Sequence, residues 1–266
     1  MGILNVTPNS FSDGGLYLQT QAAVTHAQEL AAAGADLIDI GGESTHPGAE
    51  RVNADEQIHR IIPVLEQLRG KLQTAISVDT TLATVAAAAL DAGAHIINDI
   101  SAGREDPKML ALAAARGRPI VLMHMQGDPA TMQQAPAYRD VVGEVKEFLL
   151  QRLAAAQAAG IAFNRILLDP GIGFGKTTQH NLVLLRGLGE LARLGRPLLV
   201  GTSRKRFIGL LAGHDDAQSR LWGTAASVAW CVMNGAAIVR VHDVQAMLCV
   251  TRVAWAIANQ SETTPS

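Results

Sequence analysis

The amino-acid sequence predicts a single-domain α/β fold, a (β/α)8 TIM barrel, and three observations carry that prediction. Eight short apolar runs of strand length alternate with longer Ala-rich amphipathic stretches, at the roughly 30-residue spacing of a barrel built from repeated strand–helix units. The runs are apolar throughout rather than alternating, as parallel strands covered on both faces must be. The segments 32–40 (AAGADLIDI), 91–100 (DAGAHIINDI) and 234–241 (NGAAIVRV) repeat one order of parts: a helix end, a Gly-Ala turn, then an apolar strand closing on polar groups.

Taken in chain order, strands are expected over residues 2–6, 36–40, 75–78, 95–98, 120–123, 166–169, 198–201 and 238–241. The clearest helices between them span 20–33, 54–67, 82–91, 138–159, 181–194, 219–234 and 244–258. Gly34, Gly93, Gly117, Gly160, Gly195 and Gly235 stand where helices end and a left-handed cap fits. A doubly wound sheet is the competing architecture, but it would show fewer strands and a Gly-rich first turn. No Pro/Ser-rich linker divides the chain, so residues 1–259 are expected to form one domain and 260–266 a disordered tail.

Composition narrows the function. The chain has 266 residues, 48% of them apolar, and a net charge of −2. It carries no basic stripe for nucleic acid and no polybasic helix for a membrane surface. Its apolar stretches are broken by Gly, Asp or Asn well short of the roughly 18–20 residues of a membrane span, and no signal peptide is evident at the N-terminus. A soluble cytoplasmic protein is expected. Cys231 and Cys249 lie in Ala/Val-rich helical stretches without ligand spacing and read as reduced core thiols.

In such a barrel the active site lies at the C-terminal ends of the strands. Those ends carry Asn5, Asp39 with Glu43, Asp79, Asn98, His124, Asp169, Ser203-Arg204-Lys205, Arg240 and His242. Singly, Asp79 could cap a helix and Asp169 could form an Asx-turn. Together they describe a polar pocket with two halves. Asp79, Asn98 and Asp169 are acceptor-rich and suit a flat heterocycle with several N–H donors. Lys205, Arg240 and His242, with the Gly-rich turn 171–176, are donor-rich and suit phosphate. The SRKRF run (203–207) reads as a cationic anion-binding cluster rather than a Schiff-base site. PGIGFGKT (170–177) fails the P-loop pattern because Pro170 stands where the first Gly is needed. Met123 and Met125 flank one His and read as pocket wall, not as a metal box.

At this point the motifs identify a family. MGILNVTPNSFSDGG, DIGGESTHPGA, SVDT, HIINDI, LMHMQG, LLDPGIGFGKT, GTSRKRFIG and IVRVHDV occur in one order over nearly the whole chain, and the chain closely resembles the dihydropteroate synthase family. The resemblance implies a barrel, usually a homodimer, that joins 6-hydroxymethyl-7,8-dihydropterin diphosphate to 4-aminobenzoate and releases diphosphate with Mg²⁺. It implies that Asp79, Asn98, Asp169 and Lys205 recognise the pterin, with Met123 in the pocket wall. Asn5, Arg240 and His242 would hold the diphosphate, Asn5 on the metal side. Thr45, Pro47, Pro129, Phe174, Ser203 and Lys205 would frame the 4-aminobenzoate pocket, where sulfonamides compete. Catalysis would fall to Asp79, Asp169, Lys205, Arg240 and His242, under two closing loops, 7–16 and 43–51.

Three departures from the family pattern stand out. His46 replaces the usual Arg of the second loop; an imidazole cannot form the same fork, so weaker diphosphate binding is expected. Asn9 replaces the usual Asp of the first loop and is expected to alter closure over the amine site. The N-terminal hairpin usual before the first strand does not precede Met1 here: either the start is truncated or this form lacks the plug, which is expected to expose the barrel floor. Two other readings compete: a weakly active pterin-binding paralogue, and the pterin-binding domain of folate-dependent methyltransferases. The second leaves Lys205, the Thr45/Pro47 loop and the Arg240–His242 pair unexplained.

Overall fold

The computed structural model describes residues 1–7, 15–44, 51–129, 131–213 and 216–260. In chain order the elements are β1 (Gly2–Asn5), α1 (Gly15–Ala32), β2 (Leu37–Gly41), α2 (Ala54–Leu68), β3 (Ala75–Asp79), α3 (Ala83–Ala92), β4 (Ile96–Asp99), α4 (Met109–Arg116), β5 (Ile120–Met123) and α5 (Val141–Ala158). They continue as β6 (Ile166–Asp169), α6 (Thr178–Arg186), α7 (Leu188–Ala192), β7 (Leu198–Val200), α8 (Arg206–Ala212), α9 (Leu221–Met233), β8 (Ala236–Val239) and α10 (Val244–Asn259). The eight strands pair in parallel in sequence order. The sheet closes where Gly2 bridges Val241: the Ile3 amide donates to Val241 O (3.0 Å) and the Val241 amide to Met1 O (2.9 Å).

Local chemistry explains the element ends. Asn53 caps α2 by accepting the Glu56 amide at 2.9 Å, with Asp55 and Glu56 in the positive first turn. Gly93 and Gly117 end α3 and α4 in left-handed geometry, as their positions in sequence suggest. The helix expected over 181–194 is two helices, α6 and α7, divided at Gly187. That glycine lies so near α5 that an added Cβ would stand 2.8 Å from Val142. The short α4 and α8 were not among the helices read from sequence, because seven or eight residues are too few to show a helical period. β8 begins and ends two residues earlier than expected. Beyond it, Arg240 still donates to Val200 O of β7, while Val241 turns to β1 to close the barrel.

Strand parity builds two concentric layers. Residues facing outward, among them Leu4, Ile38, Ile40, Val78, Ile97, Ile120, Leu122, Ile166 and Leu168, pack under the helices in the main core. The inward residues form a plug at the lower end, where Val121 and Leu199 pack with Leu37, Ile96, Leu167 and Ile238. One turn of the pleat higher, on the same parity, stand Asn5, Asp39, Asp79, Asn98, Met123, Asp169 and Arg240. The period of two thus switches the barrel interior from apolar floor to polar mouth within a single step along each strand. No helix among the described residues is long and apolar enough to cross a membrane. Cys231 is buried, its thiol pushed up to about 12 by burial. Cys249 is exposed, contrary to its reading as a core thiol, because it lies on the outer face of α10.

Candidate active site at the barrel mouth

Strand register assembles the site. Asn5, Gly41, Asp79 and Asn98 are successive partners along one rung across β1–β4, and Met123 pairs with Asp169 across β5–β6. Asp79, Asn98 and Asp169 are buried together at the mouth. Asp79 is not a helix cap: α3 is instead capped by Asp106, whose carboxylate accepts the Ala83 amide at 2.8 Å. Asp169 does form the Asx-turn read from its sequence, accepting the Gly171 amide at 2.7 Å.

Arg240 is the hub. Its Nε donates to Asp39 Oδ2 at 2.7 Å and its Nη2 to Asp79 Oδ2 at 2.9 Å. Asp39, with no exposed surface, also accepts the Asn98 amide Nδ2 at 3.0 Å. Among the described residues, its other oxygen and the hydroxyl of Ser77, its register partner on β3, are buried without hydrogen-bond partners. Two carboxylates sharing one guanidinium in a buried space cannot both ionise freely. The Asp79 carboxyl is accordingly pushed up to about 7 by burial and by neighbouring Asp39, against the pull of Arg240. Asp39 was read from sequence as a strand end without a role. The signal was there, in its shared parity with Asn5 and Asp79.

Lys205 lies across the mouth. Its ammonium donates to Ile172 O and stands 4.6 Å above the Phe174 ring. Burial lowers its pKa to about 8, partly offset by the attraction of Asp169. Burial likewise raises the Asp169 carboxyl, against the Gly171 amide and Lys205. Phe174 packs against Ile100, Met123, Met125 and Met132, so the two methionines around His124 lie in one apolar cluster with the ring beneath Lys205. Pro129 is buried. Ser203 Oγ stands 3.0 Å from His242 Nδ1 and accepts the His242 amide at 3.2 Å, joining the β7 and β8 loops.

Three expectations are corrected. The cationic run at 203–207 does not act as one cluster. Arg204, at a positive φ of 57°, turns away to form a forked pair with Asp243 (2.6 and 3.1 Å), and Arg206 is exposed on α8. Lys176 does not add a donor to the mouth: it is 3% exposed and its Nζ is spent on Gly171 O, Phe174 O and His124 Nδ1. His124, one residue past the inward Met123, faces outward into that same cluster, so it is not a mouth residue. Glu43 sits at the rim, accepting from buried Gln57 at 2.8 Å and paired with Arg51 at 3.1 Å. Burial raises its carboxyl above the usual range. Thr45, His46, Pro47 and Asn9, and with them most of the two loops, lie outside the described residues.

Comparison with known proteins agrees with this geometry. The family model described as pterin binding enzyme matches residues 1–242. The dihydropteroate synthase of Synechocystis sp. is 49% identical over 257 residues, covering 97% of this chain and 89% of that protein. Among solved structures, the Xanthomonas albilineans dihydropteroate synthase with 4-aminobenzoic acid superposes with a TM-score of 0.91 at 48% identity, covering 97% of this chain and 92% of that one. The same organism's enzyme in complex with 7,8-dihydropteroate gives 0.87 at 45% identity, over the same shares of the two chains.

Proposed function

The chain belongs to the pterin-binding enzyme family and to its dihydropteroate synthases, and on that premise we infer that it condenses 6-hydroxymethyl-7,8-dihydropterin diphosphate with 4-aminobenzoate, releasing diphosphate. The observation that carries the reading is the buried acceptor set Asp79, Asn98 and Asp169 facing the Lys205 ammonium across one barrel mouth. A pterin edge offers N–H donors to the three acceptors and a carbonyl oxygen to Lys205. Loss of diphosphate leaves positive charge developing on the methylene carbon, which the surrounding carboxylates stabilise. The aromatic amine is already a nucleophile, so the task is positioning it against that carbon, and Phe174, Pro129, Ser203 and Lys205 are proposed to frame it. Arg240 and His242 stand at the β8 end and are proposed to hold the diphosphate there. For Arg240 that role means exchanging part of its contact with Asp79 for phosphate oxygens.

Mg²⁺ fits the donor chemistry here. Among the described residues no three His, Cys, Asp or Glu converge as a cage. The half-buried Asn5, on the inward face of β1, offers one hard oxygen, which suits a cation carried largely by diphosphate and water. Bound that way, Mg²⁺ would neutralise charge on the leaving group. The direct test supplies both substrates and measures Mg²⁺-dependent diphosphate release. Release only when both are present is expected. Pterin binding without release would overturn the reading in favour of a non-catalytic binder.

The titrations of Asp79 and Lys205 define a pH dependence. The ionised Asp79 carboxylate accepts from pterin N–H groups more strongly than its acid form does, so pterin affinity rises as pH passes about 7. The Lys205 ammonium must be protonated to donate, so affinity falls as pH passes about 8. Calorimetry with 6-hydroxymethylpterin, which carries no phosphate of its own to titrate, is expected to show a narrow maximum between the two. Asp79→Asn should abolish the acidic limb only, and a flat profile would refute the assignment.

We further propose a homodimer built on α8–α10, where Leu210, Leu211, Val253 and Ile257 are exposed and Trp222 is 81% exposed. Large apolar side chains grouped on adjoining helices mark association surfaces. Trp222→Glu with Val253→Glu is expected to yield monomer in sedimentation analysis. A double variant of unchanged mass would move the interface elsewhere. The substrates are soluble and both cysteines are free, in keeping with a cytoplasmic site of action.

A further inference from the structure

The PGIGFGKT segment (170–177) is not a phosphate loop, and its lysine has no place in the reaction described above. Its surroundings give it another task. Lys176 Nζ carries three donors and meets three acceptors, each at 2.9 Å: Gly171 O, Phe174 O and His124 Nδ1. The first two lie within the β6 loop and the third on the end of β5. Burial pushes the Lys176 pKa well down, opposed by the Asp169 charge, but three acceptors around one nitrogen are the set that an ammonium satisfies; held this way, it closes the loop on itself and bolts it to the neighbouring strand. An acceptor role at Nδ1 puts the imidazole proton on Nε2, in keeping with a His124 pKa lowered to about 3 by burial and by the Lys176 and Arg104 charges.

The loop is also pressed against the β5 end. A Cβ on Gly171 would run into His124 O, and one on Gly175 would stand 2.5 Å from Gln126 O; both glycines take positive φ. Tyr138 adds a hydrogen bond from its hydroxyl to Gly175 O at 2.9 Å, and the Phe148 ring meets His124 edge-on at 4.8 Å. What the loop carries is the centre of the site. The Gly171 amide orients Asp169, Ile172 O receives the Lys205 ammonium, and Phe174 lies beneath that ammonium.

We propose that Lys176, through His124, is a positioning residue that holds the β6 loop so that Asp169 and Lys205 face the pterin together. Lysine suits the task because its three donors diverge from one atom, whereas the planar fork of arginine cannot converge on acceptors in three directions. The inference rests on the reading of Asp169 and Lys205 as pterin partners, and the test separates the two.

Steady-state kinetics and 6-hydroxymethylpterin calorimetry are compared for the wild type, Lys176→Met, His124→Leu and His124→Asn, with circular dichroism as the folding check. Lys176→Met and His124→Leu are expected to raise the KM for pterin diphosphate and the pterin Kd tenfold or more, while kcat at saturation falls less than threefold. His124→Asn, whose amide oxygen stands where Nδ1 stood and can still accept from Lys176, is expected to stay within threefold of the wild type. A folded Lys176→Met with wild-type pterin affinity would overturn the proposal. If Lys176→Met does not fold, the two His124 variants decide: equal pterin affinities for Leu and Asn would overturn it, and rescue by Asn alone would support it. A wild type that binds no pterin would instead overturn the functional reading beneath it.

Discussion

Arg240→Met is expected to destabilise the protein by about 3–5 kcal/mol, the usual consequence of stripping one partner from a buried ion pair. Arg240 is the shared cation of Asp39 and Asp79, and Asp39 has no exposed surface. Its removal leaves two carboxylates facing one another. The cost must depend on pH. A carboxyl whose folded pKa is raised gives stability that is complete below its unfolded pKa and is lost as pH rises through the folded value. In the wild type that loss ends near pH 7. Without Arg240 the Asp79 carboxyl moves higher still, so stability goes on falling above pH 7 where the wild type has levelled. Denaturant titrations at pH 6 and pH 8 should show the larger deficit at pH 8. Asp39→Asn added to Arg240→Met should recover part of it. A deficit equal at both pH values would refute the shared-cation account.

Asp169→Asn is expected to act oppositely, sparing the fold and disabling the site. The asparagine oxygen can still accept the Gly171 amide, so the Asx-turn that fixes the loop survives. What disappears is a buried anion facing N–H donors and paired in charge with Lys205. Hydrogen bonds to a charged group contribute roughly 1.5–3 kcal/mol each, so pterin affinity and kcat/KM should fall about 10²-fold. The melting temperature should move by only a few degrees. A loss of less than threefold in pterin affinity, in a folded variant, would remove Asp169 from the pterin site.

The contrast between these variants shows where sequence reading succeeded. Asn5, Asp79, Asn98 and Asp169 were legible because each closes an apolar run, and the parity of Asn98 with the floor residue Ile96, and of Asp169 with Leu167, is a property of the local strand. Arg240 was legible as a strand end but not as the partner of Asp39 and Asp79, which lie 201 and 161 residues away. Lys176 and Arg204 were misread because a charged side chain in a loop gives no hint of which way it turns. Only the packed loops show that one is buried in carbonyl oxygens and the other committed to Asp243.

The sequence by itself determined the barrel, its eight strands and the acceptor chemistry of its mouth, because strand period, helix caps and each motif are written within stretches of about ten residues. The tertiary structure alone decided the pairing of Arg240 with Asp39 and Asp79, the buried anchorage of Lys176 on His124, and the seat of Lys205 over Phe174. The Arg240 contacts exist only once the barrel has closed and brought β8 against β1, and the two lysine contacts only once the loops after β5, β6 and β7 have packed together. In that buried mouth each charge is held where its desolvation is offset by a partner, and which partner lies within reach is fixed by closure, not by neighbours in the chain.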